Sequence, residues 1–304
     1  MQTILGSTGQ IGHELAKELY NNYTRDIRLV SRHPKQIHES DELFSADLLK
    51  LDEVKAAISG SEIVYFTVGL PMDSGMWEEQ FLTMIDNVIE ACIEEKSKLV
   101  FFDNTYMYPK TEEPQTEETL FAPIGRKSVV RAQMANQVLS GIASGKLEGV
   151  ICRAPDFYGP DKTQSITNTS LFNQIKENKT VRIPLNANAL RTLIWTPDAS
   201  RSMALIGNTP EAYGQTWHLP CDKPIAYESL IQLIEEITGK KVNYHVIPMW
   251  QFKLGSVFNQ NLKELQELLP RYRGDNIFVS DKFKQHFPDF MLTTFEEGVK
   301  QILY

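Results

Sequence analysis

Short apolar runs and helical stripes alternate through the first half of the chain. Residues 1–5 form a strand-like run, and Ile11, Leu15 and Leu19 then recur at helical spacing with Ala16 on the same face. Residues 27–30 make a second strand and 52–58 a helix. Residues 63–68, Ile-Val-Tyr-Phe-Thr-Val, are a near-continuous run of β-formers. A long helix over about 76–95 leads to another apolar run at 99–102, and a helix over Arg126–Ala143 precedes strand-like 149–152. Strands that are apolar throughout, separated by helices, indicate a parallel sheet buried on both faces. The pattern predicts an α/β fold whose first 160 residues form a doubly wound domain.

The character changes beyond Gly159-Pro160. Segments shorten and are punctuated by Pro184, Pro197, Pro210, Pro220, Pro224 and Pro248. Helices are predicted over Tyr227–Thr238, with Leu230, Leu233, Ile234 and Ile237 on one face, over 261–269, and over Phe295–Leu303. Residues 161–304 are thus expected to form mainly a smaller α/β substrate lobe, with a strand near 214–219 returning to the first domain's sheet. A cleft between the two parts is the expected substrate site.

Candidate chemistry begins at the first turn. Gly6-Ser7-Thr8-Gly9-Gln10-Ile11-Gly12 follows the first strand and opens the first helix. Glycines there let the backbone approach a pyrophosphate, and the helix N-terminus offers unpaired N–H groups and a positive dipole end. Ser7 and Thr8 are candidate hydroxyl donors to the same phosphates. In this context the spacing points to a dinucleotide on a Rossmann sheet; the alternative is a tight turn with no ligand. The second strand ends at Ser31-Arg32, where an acidic residue would suit NAD and a basic one suits a 2′-phosphate. Arg32 offers a planar fork for phosphate, so NADP is expected, with NAD the alternative. Asp47, beside Leu48, is placed to accept from an adenine amino group or to sit at a helix N-terminus.

Bulk properties narrow the partners. The chain has 304 residues, 42% hydrophobic and 23% charged, and a net charge of −8. That balance disfavours nucleic acid and anionic membranes, which reward basic surfaces. No apolar run is long enough to span a bilayer and no leader pattern opens the chain, so a cytoplasmic protein acting on a small-molecule substrate is expected. Cys92, Cys152 and Cys221 read as buried hydrophobes. Dispersed histidines and the absence of His-Glu-x-x-His, Cys-x-x-Cys and Gly-x-Ser-x-Gly argue against metal and serine-hydrolase chemistry.

Taken in order, these motifs resemble the extended short-chain dehydrogenase/reductase family, its NAD-dependent epimerase/dehydratase group. The Gly6–Gly12 turn is similar to the family glycine motif, and Asn87 to a recurring helix asparagine. Arg153-Ala-Pro-Asp-Phe-Tyr158-Gly-Pro160 resembles the stretch after the sixth strand. Arg191-Thr-Leu-Ile-Trp-Thr-Pro-Asp198 is similar to another family segment, Thr216-Trp-His-Leu-Pro220 to the returning strand and Phe295-Glu-Glu-Gly298 to the terminal helix. The resemblance implies further cofactor contacts at Thr67, Val68, Gly69 and Leu70, at Phe102, Asp103 and Asn104, and at Pro155 through Phe157. It also implies a homodimer through the helices over 76–95 and Arg126–Ala143.

The departures fall on the chemistry. Family enzymes carry Tyr-x-x-x-Lys, the Tyr acting as acid/base and the Lys lowering its pKa. Here the alignment puts Ile124 at the Tyr and Ser128 at the Lys, and the family Ser/Thr falls on Asn104. Substitutes are sought nearby: Asn104 to polarise a carbonyl, Tyr106 or Tyr108 as the acid, Lys127 to depress a tyrosine pKa, with Asp156 a further titratable group. Arg191, with Arg271 or Arg273, resembles the arginines that family members aim at a nucleotide-sugar diphosphate. Two readings stand. One is an oxidoreductase or epimerase with a rearranged acid/base. The other is a non-catalytic dinucleotide-binding redox sensor or interaction protein.

Overall fold

The computed structural model describes residues 1–160 and 163–304; the expected boundary between the two parts, at 160/161, borders the two residues outside that description. Along the chain run β1 (Gln2–Leu5), α1 (Gln10–Asn22), β2 (Ile27–Ser31), β3 (Glu42–Ser45), α2 (Leu51–Ile58), β4 (Ile63–Phe66), α3 (Ser74–Glu95), β5 (Lys98–Asp103), α4 (Arg126–Ala143) and β6 (Gly149–Arg153). Then come β7 (Asp156–Tyr158), α5 (Asn173–Lys176), β8 (Val181–Pro184), β9 (Leu190–Arg191), β10 (Leu193–Trp195), α6 (Thr196–Gly207), β11 (Thr216–His218), β12 (Ile225–Ala226) and α7 (Tyr227–Thr238). The chain ends with β13 (Tyr244–Ile247), α8 (Met249–Ser256), α9 (Gln260–Leu265), α10 (Asp281–His286) and α11 (Phe295–Leu303).

Seven strands pair in parallel in the order β11-β6-β5-β4-β1-β2-β3. The apolar character of β1 and β4 follows from burial on both faces, since all four residues of each are buried. Val64 and Phe66 pack with α2, α3 and α4 on one side, and Ile63 and Tyr65 pack with α1 and α6 on the other. A third cluster joins Leu171, Phe172 and Ile183 to Leu230, Ile234 and Val299. Cys92, Cys152 and Cys221 are free and buried.

Several elements depart from the periodicity. The strand expected over 63–68 stops at Phe66, where its neighbour β1 ends at Leu5 and the Thr67 N–H and hydroxyl both donate to the Leu5 carbonyl at 2.9 Å. The helix expected over 261–269 breaks into α9 and a 3₁₀ turn at Leu269–Tyr272, which carries Pro270. Edge strand β3 is largely exposed, so no apolar run marks it. Outside the main sheet, β7 pairs with β10, β8 with β13 and β9 with β12.

Candidate dinucleotide and active site

The strand order reverses between β1 and β4, and at that carboxyl edge a doubly wound sheet leaves a crevice. A cavity of about 1370 Å³ occupies it, running from Ser31 and Arg32 past the glycine turn to Asn104, Tyr106, Asp156 and Tyr272. Two glycines shape the turn. Gly6 has φ +88°, and a Cβ there would lie 2.9 Å from the Val68 Cα. A Cβ on Gly12 would lie 2.7 Å from the Gly6 carbonyl oxygen. Gly9 caps α1 without a side chain, so the first N–H groups of the helix stay open toward the cavity. Thr8, Gly9, Gln10 and Ile11 all line it. The Gln10 amide also donates to the Thr196 hydroxyl at 3.0 Å and to Thr163, tying the turn to the far wall.

At one end Arg32 is exposed, lines the cavity, and has no side-chain partner among the described residues. Ser31 Oγ accepts from the His33 N–H at 3.2 Å. Asp47 closes a local turn, its Oδ1 accepting from Leu49 N–H at 3.1 Å, while the Leu48 carbonyl accepts from Asn87 Nδ2 at 2.9 Å. That second bond is what Asn87 does here: it anchors from α3 the loop that walls this end. Thr67, Val68, Gly69 and Leu70 continue the wall toward Asp103, Asn104 and Pro155.

At the other end Asn104 Oδ1 accepts from the Tyr106 N–H at 2.9 Å, leaving its amide nitrogen unpartnered among the described residues. Tyr106 stacks on Trp77 with ring centroids 6.2 Å apart, and no described residue bonds its hydroxyl. Burial raises the pKa of Tyr106 above the ordinary tyrosine value. Asn104, Thr105 and Tyr106 all line the cavity, and among the described residues each keeps side-chain hydrogen-bonding capacity there.

Other residues singled out from the sequence sit elsewhere. Tyr108 is buried and does not line the cavity; its hydroxyl bonds His218 Nε2 at 2.7 Å and accepts from Arg153 at 2.6 Å. Lys127 does not reach the cavity either. It is fully buried, pairs with Glu264 and donates to Ser74 Oγ at 2.7 Å. Ile124 is 61% exposed at the entry to α4. Ser7 turns inward toward the Val30 carbonyl at 3.3 Å, and Gly12 serves helix–strand contact rather than the cavity lining. Arg191 is buried behind the wall, where it pairs with Asp156 at 2.6 Å, and Arg273 is exposed outside the cavity.

Sequence reasoning singled out Asp156, Arg191 and Arg271 but missed that they pair with one another, because they lie far apart in the chain. Asp156 lines the cavity and is gripped by Arg191, Arg271 and the Tyr272 hydroxyl, the last at 2.9 Å. Burial pushes its carboxyl pKa up, but the Arg271 and Arg191 guanidiniums outweigh it and hold the group at about 2. Asp103 is likewise shared, with Arg131 at 2.6 Å and Arg153 at 3.1 Å. His218, beyond Tyr108, is pushed down to about 3 by burial and by Arg153, so it is neutral. Glu264 and Glu267 reach in from around α9 to cap α3 and α4. Glu264 accepts from Ser74 N–H at 3.1 Å, and Glu267 from Ser128 N–H at 3.0 Å. Burial raises the pKa of Glu264, yet hydrogen bonds from Lys127 and Ser74 bring it to about 2.

A family model for the NAD dependent epimerase/dehydratase family matches residues 3–219, from β1 through β11. The chain belongs to that family. An uncharacterized UDP-glucose epimerase, YtcB of Bacillus subtilis, is 20% identical over 215 residues, 67% of this chain and 66% of its own. The uncharacterized protein y4nL of Sinorhizobium fredii is 24% identical over 216 residues, 68% of this chain. The matches thus span 66% and 60% of these relatives' lengths. The same fold is seen in a UDP-glucuronic acid 4-epimerase from Bacillus cereus in complex with NAD. The TM-score is 0.80 and the identity 15%, covering 100% of this chain and 96% of that one. No helix among the described residues is long and apolar enough to cross a membrane. No group of three or more metal-ligating side chains occurs among them.

Proposed function

We propose that this family member is an NADP-preferring carbonyl reductase with Asn104 and Tyr106 in place of the usual acid/base pair. The observation that carries the reading is the unbroken cavity from Arg32, which has no side-chain partner among the described residues, past open helix N–H groups, to Asn104 and Tyr106. The residues fit a dinucleotide: Arg32 and Ser31 for a 2′-phosphate, the Gly6–Gly12 turn for pyrophosphate, and Asn104 with Pro155 at the nicotinamide end. When bound, the reduced dinucleotide supplies a hydride to a carbonyl carbon. The Asn104 amide N–H polarises the carbonyl oxygen, and the Tyr106 hydroxyl gives that oxygen its proton as the hydride arrives. A tyrosine whose pKa is raised by burial holds its proton at neutral pH. It can donate but not abstract, which favours reduction over an epimerisation that begins by deprotonating an alcohol. Three free, buried cysteines suit a cytoplasmic protein.

The second reading, a dinucleotide-binding protein without turnover, draws on exposed Ile124 and on Lys127 being committed to Glu264. Calorimetric titration with NADPH and NADH, on wild type and Arg32→Ala, tests the common part. NADPH is expected to bind tighter, with the difference lost in Arg32→Ala. Equal binding removes the NADP preference, and no binding of either removes both readings. An NADPH-consumption screen over aldehydes and ketones then separates enzyme from sensor.

A further inference from the structure

Two buried ion clusters border the inner end of the cavity, and each holds more positive than negative charge. Asp103 is shared by Arg131 and Arg153, and Asp156 by Arg191 and Arg271. None of the four arginines is more than 6% exposed. Four of their nitrogens, Arg153 Nη2, Arg191 Nε, Arg271 Nε and Arg271 Nη1, are buried with no hydrogen-bond partner among the described residues. Nearby groups do not cancel the excess. His218, Tyr108 and Tyr272 are neutral. Glu117 accepts the His218 N–H and faces Lys282, and Glu267 has the Lys110 ammonium beside it. Asp103, Arg131, Asp156 and Tyr272 bring both clusters to the cavity surface. Burying cations without counter-charge is costly, so a net charge retained twice at one end of one cavity calls for a ligand that benefits from it.

We propose that these clusters make the cavity select the reduced dinucleotide over the oxidised one. The inference rests on the cofactor placement given under the proposed function. The two forms share their phosphates, riboses and adenine, so the glycine turn and Arg32 serve both alike. They differ in the nicotinamide ring, which is neutral when reduced and cationic when oxidised. A unit charge about 10 Å from a second one, at an effective dielectric of about 20, shifts affinity on the order of tenfold. The clusters disfavour the oxidised ring by that order per excess charge. The bound couple is then shifted to more positive potential, by about 30 mV for each tenfold. The same field favours the negative charge that develops on a carbonyl oxygen as hydride reaches its carbon.

Parallel titrations of the full chain with NADPH and NADP⁺ read the ratio directly, with no turnover involved. Wild type is expected to bind NADPH about tenfold tighter or more. Arg153→Met and Arg271→Met each remove one excess charge without removing a cavity-lining side chain. Each is expected to lower the ratio several-fold, while Arg32→Ala weakens both forms alike. Thermal melts identify the folded variants, and if neither folds the wild-type ratio alone decides. Equal or tighter binding of NADP⁺ by wild type, or a ratio unmoved in folded variants, overturns the inference and leaves the proposed function standing. Failure of wild type to bind either form overturns both.

Discussion

Asp156→Asn tests how far the inner wall of the cavity depends on one carboxylate. The substitution keeps the shape and one carbonyl oxygen but removes the charge that holds Arg191 and Arg271 together. Two buried guanidiniums then share a site without a counter-ion. Removing one partner of a buried ion pair costs about 3–5 kcal/mol. For a chain of this size each kcal/mol lowers Tm by about 2 °C, so a drop of about 6–10 °C is expected at neutral pH. Part of that cost can be measured independently through pH. The Asp156 carboxyl lies at about 2 in the folded protein against 3.8 when unperturbed. That difference corresponds to about 2–3 kcal/mol. Because the folded value is depressed, this stabilisation is fully present above about pH 4–5 and is lost as pH falls toward 2. The gap between wild type and Asp156→Asn should therefore narrow over that window, since a protonated Asp156 is as neutral as the amide. Thermal unfolding followed by circular dichroism at pH 7, 5, 4, 3 and 2.5 measures it. A gap that is small at pH 7, or that stays constant down to pH 2.5, would refute the electrostatic account of this wall.

Other outcomes follow from the same geometry. Gly12→Ala places a Cβ 2.7 Å from the Gly6 carbonyl oxygen and 2.8 Å from Thr67 Oγ1; a loss of about 1–3 kcal/mol in stability and weaker dinucleotide binding are expected by melting and titration. Tyr106→Phe is expected to lower carbonyl reduction by about 10²–10⁴-fold with cofactor affinity retained. Tyr108→Phe is expected to cost stability, about 1–3 kcal/mol, because Arg153 and His218 lose a buried partner. Equal loss of turnover in the two would remove Tyr106 from the mechanism. Lys127→Met breaks the bond to Glu264 and should lower Tm without changing the affinity ratio of NADPH to NADH; a changed ratio would show that Lys127 acts on the site.

The sequence by itself determined the strands of the sheet other than edge strand β3, and the position of the glycine turn. Strands buried on both faces must be apolar throughout, so 63–68 and 99–102 announce themselves, and a turn that needs φ of +88° at Gly6 with no Cβ at Gly12 leaves a spacing visible in the chain. The resemblance read from the sequence also led to the expectation that Ile124 and Ser128 stand where family enzymes carry Tyr and Lys. Tertiary structure decided which of the neighbouring polar groups face the cavity. Tyr106 and Tyr108 are two residues apart on one segment, yet one hydroxyl has no partner among the described residues and the other is consumed by Arg153 and His218, residues 45 and 110 positions away. Lys127 lies one residue from the register expected for the family lysine, and it is paired with a glutamate 137 positions later and does not line the cavity. Asp156 and its arginines show the same limit. Hydrophobic periodicity records which face of an element is buried, whereas an ion pair between distant segments leaves no periodic trace. Charges at the inner end of the cavity are therefore written in the packing of β7 against the 3₁₀ turn at Leu269–Tyr272, and only the folded chain brings them together.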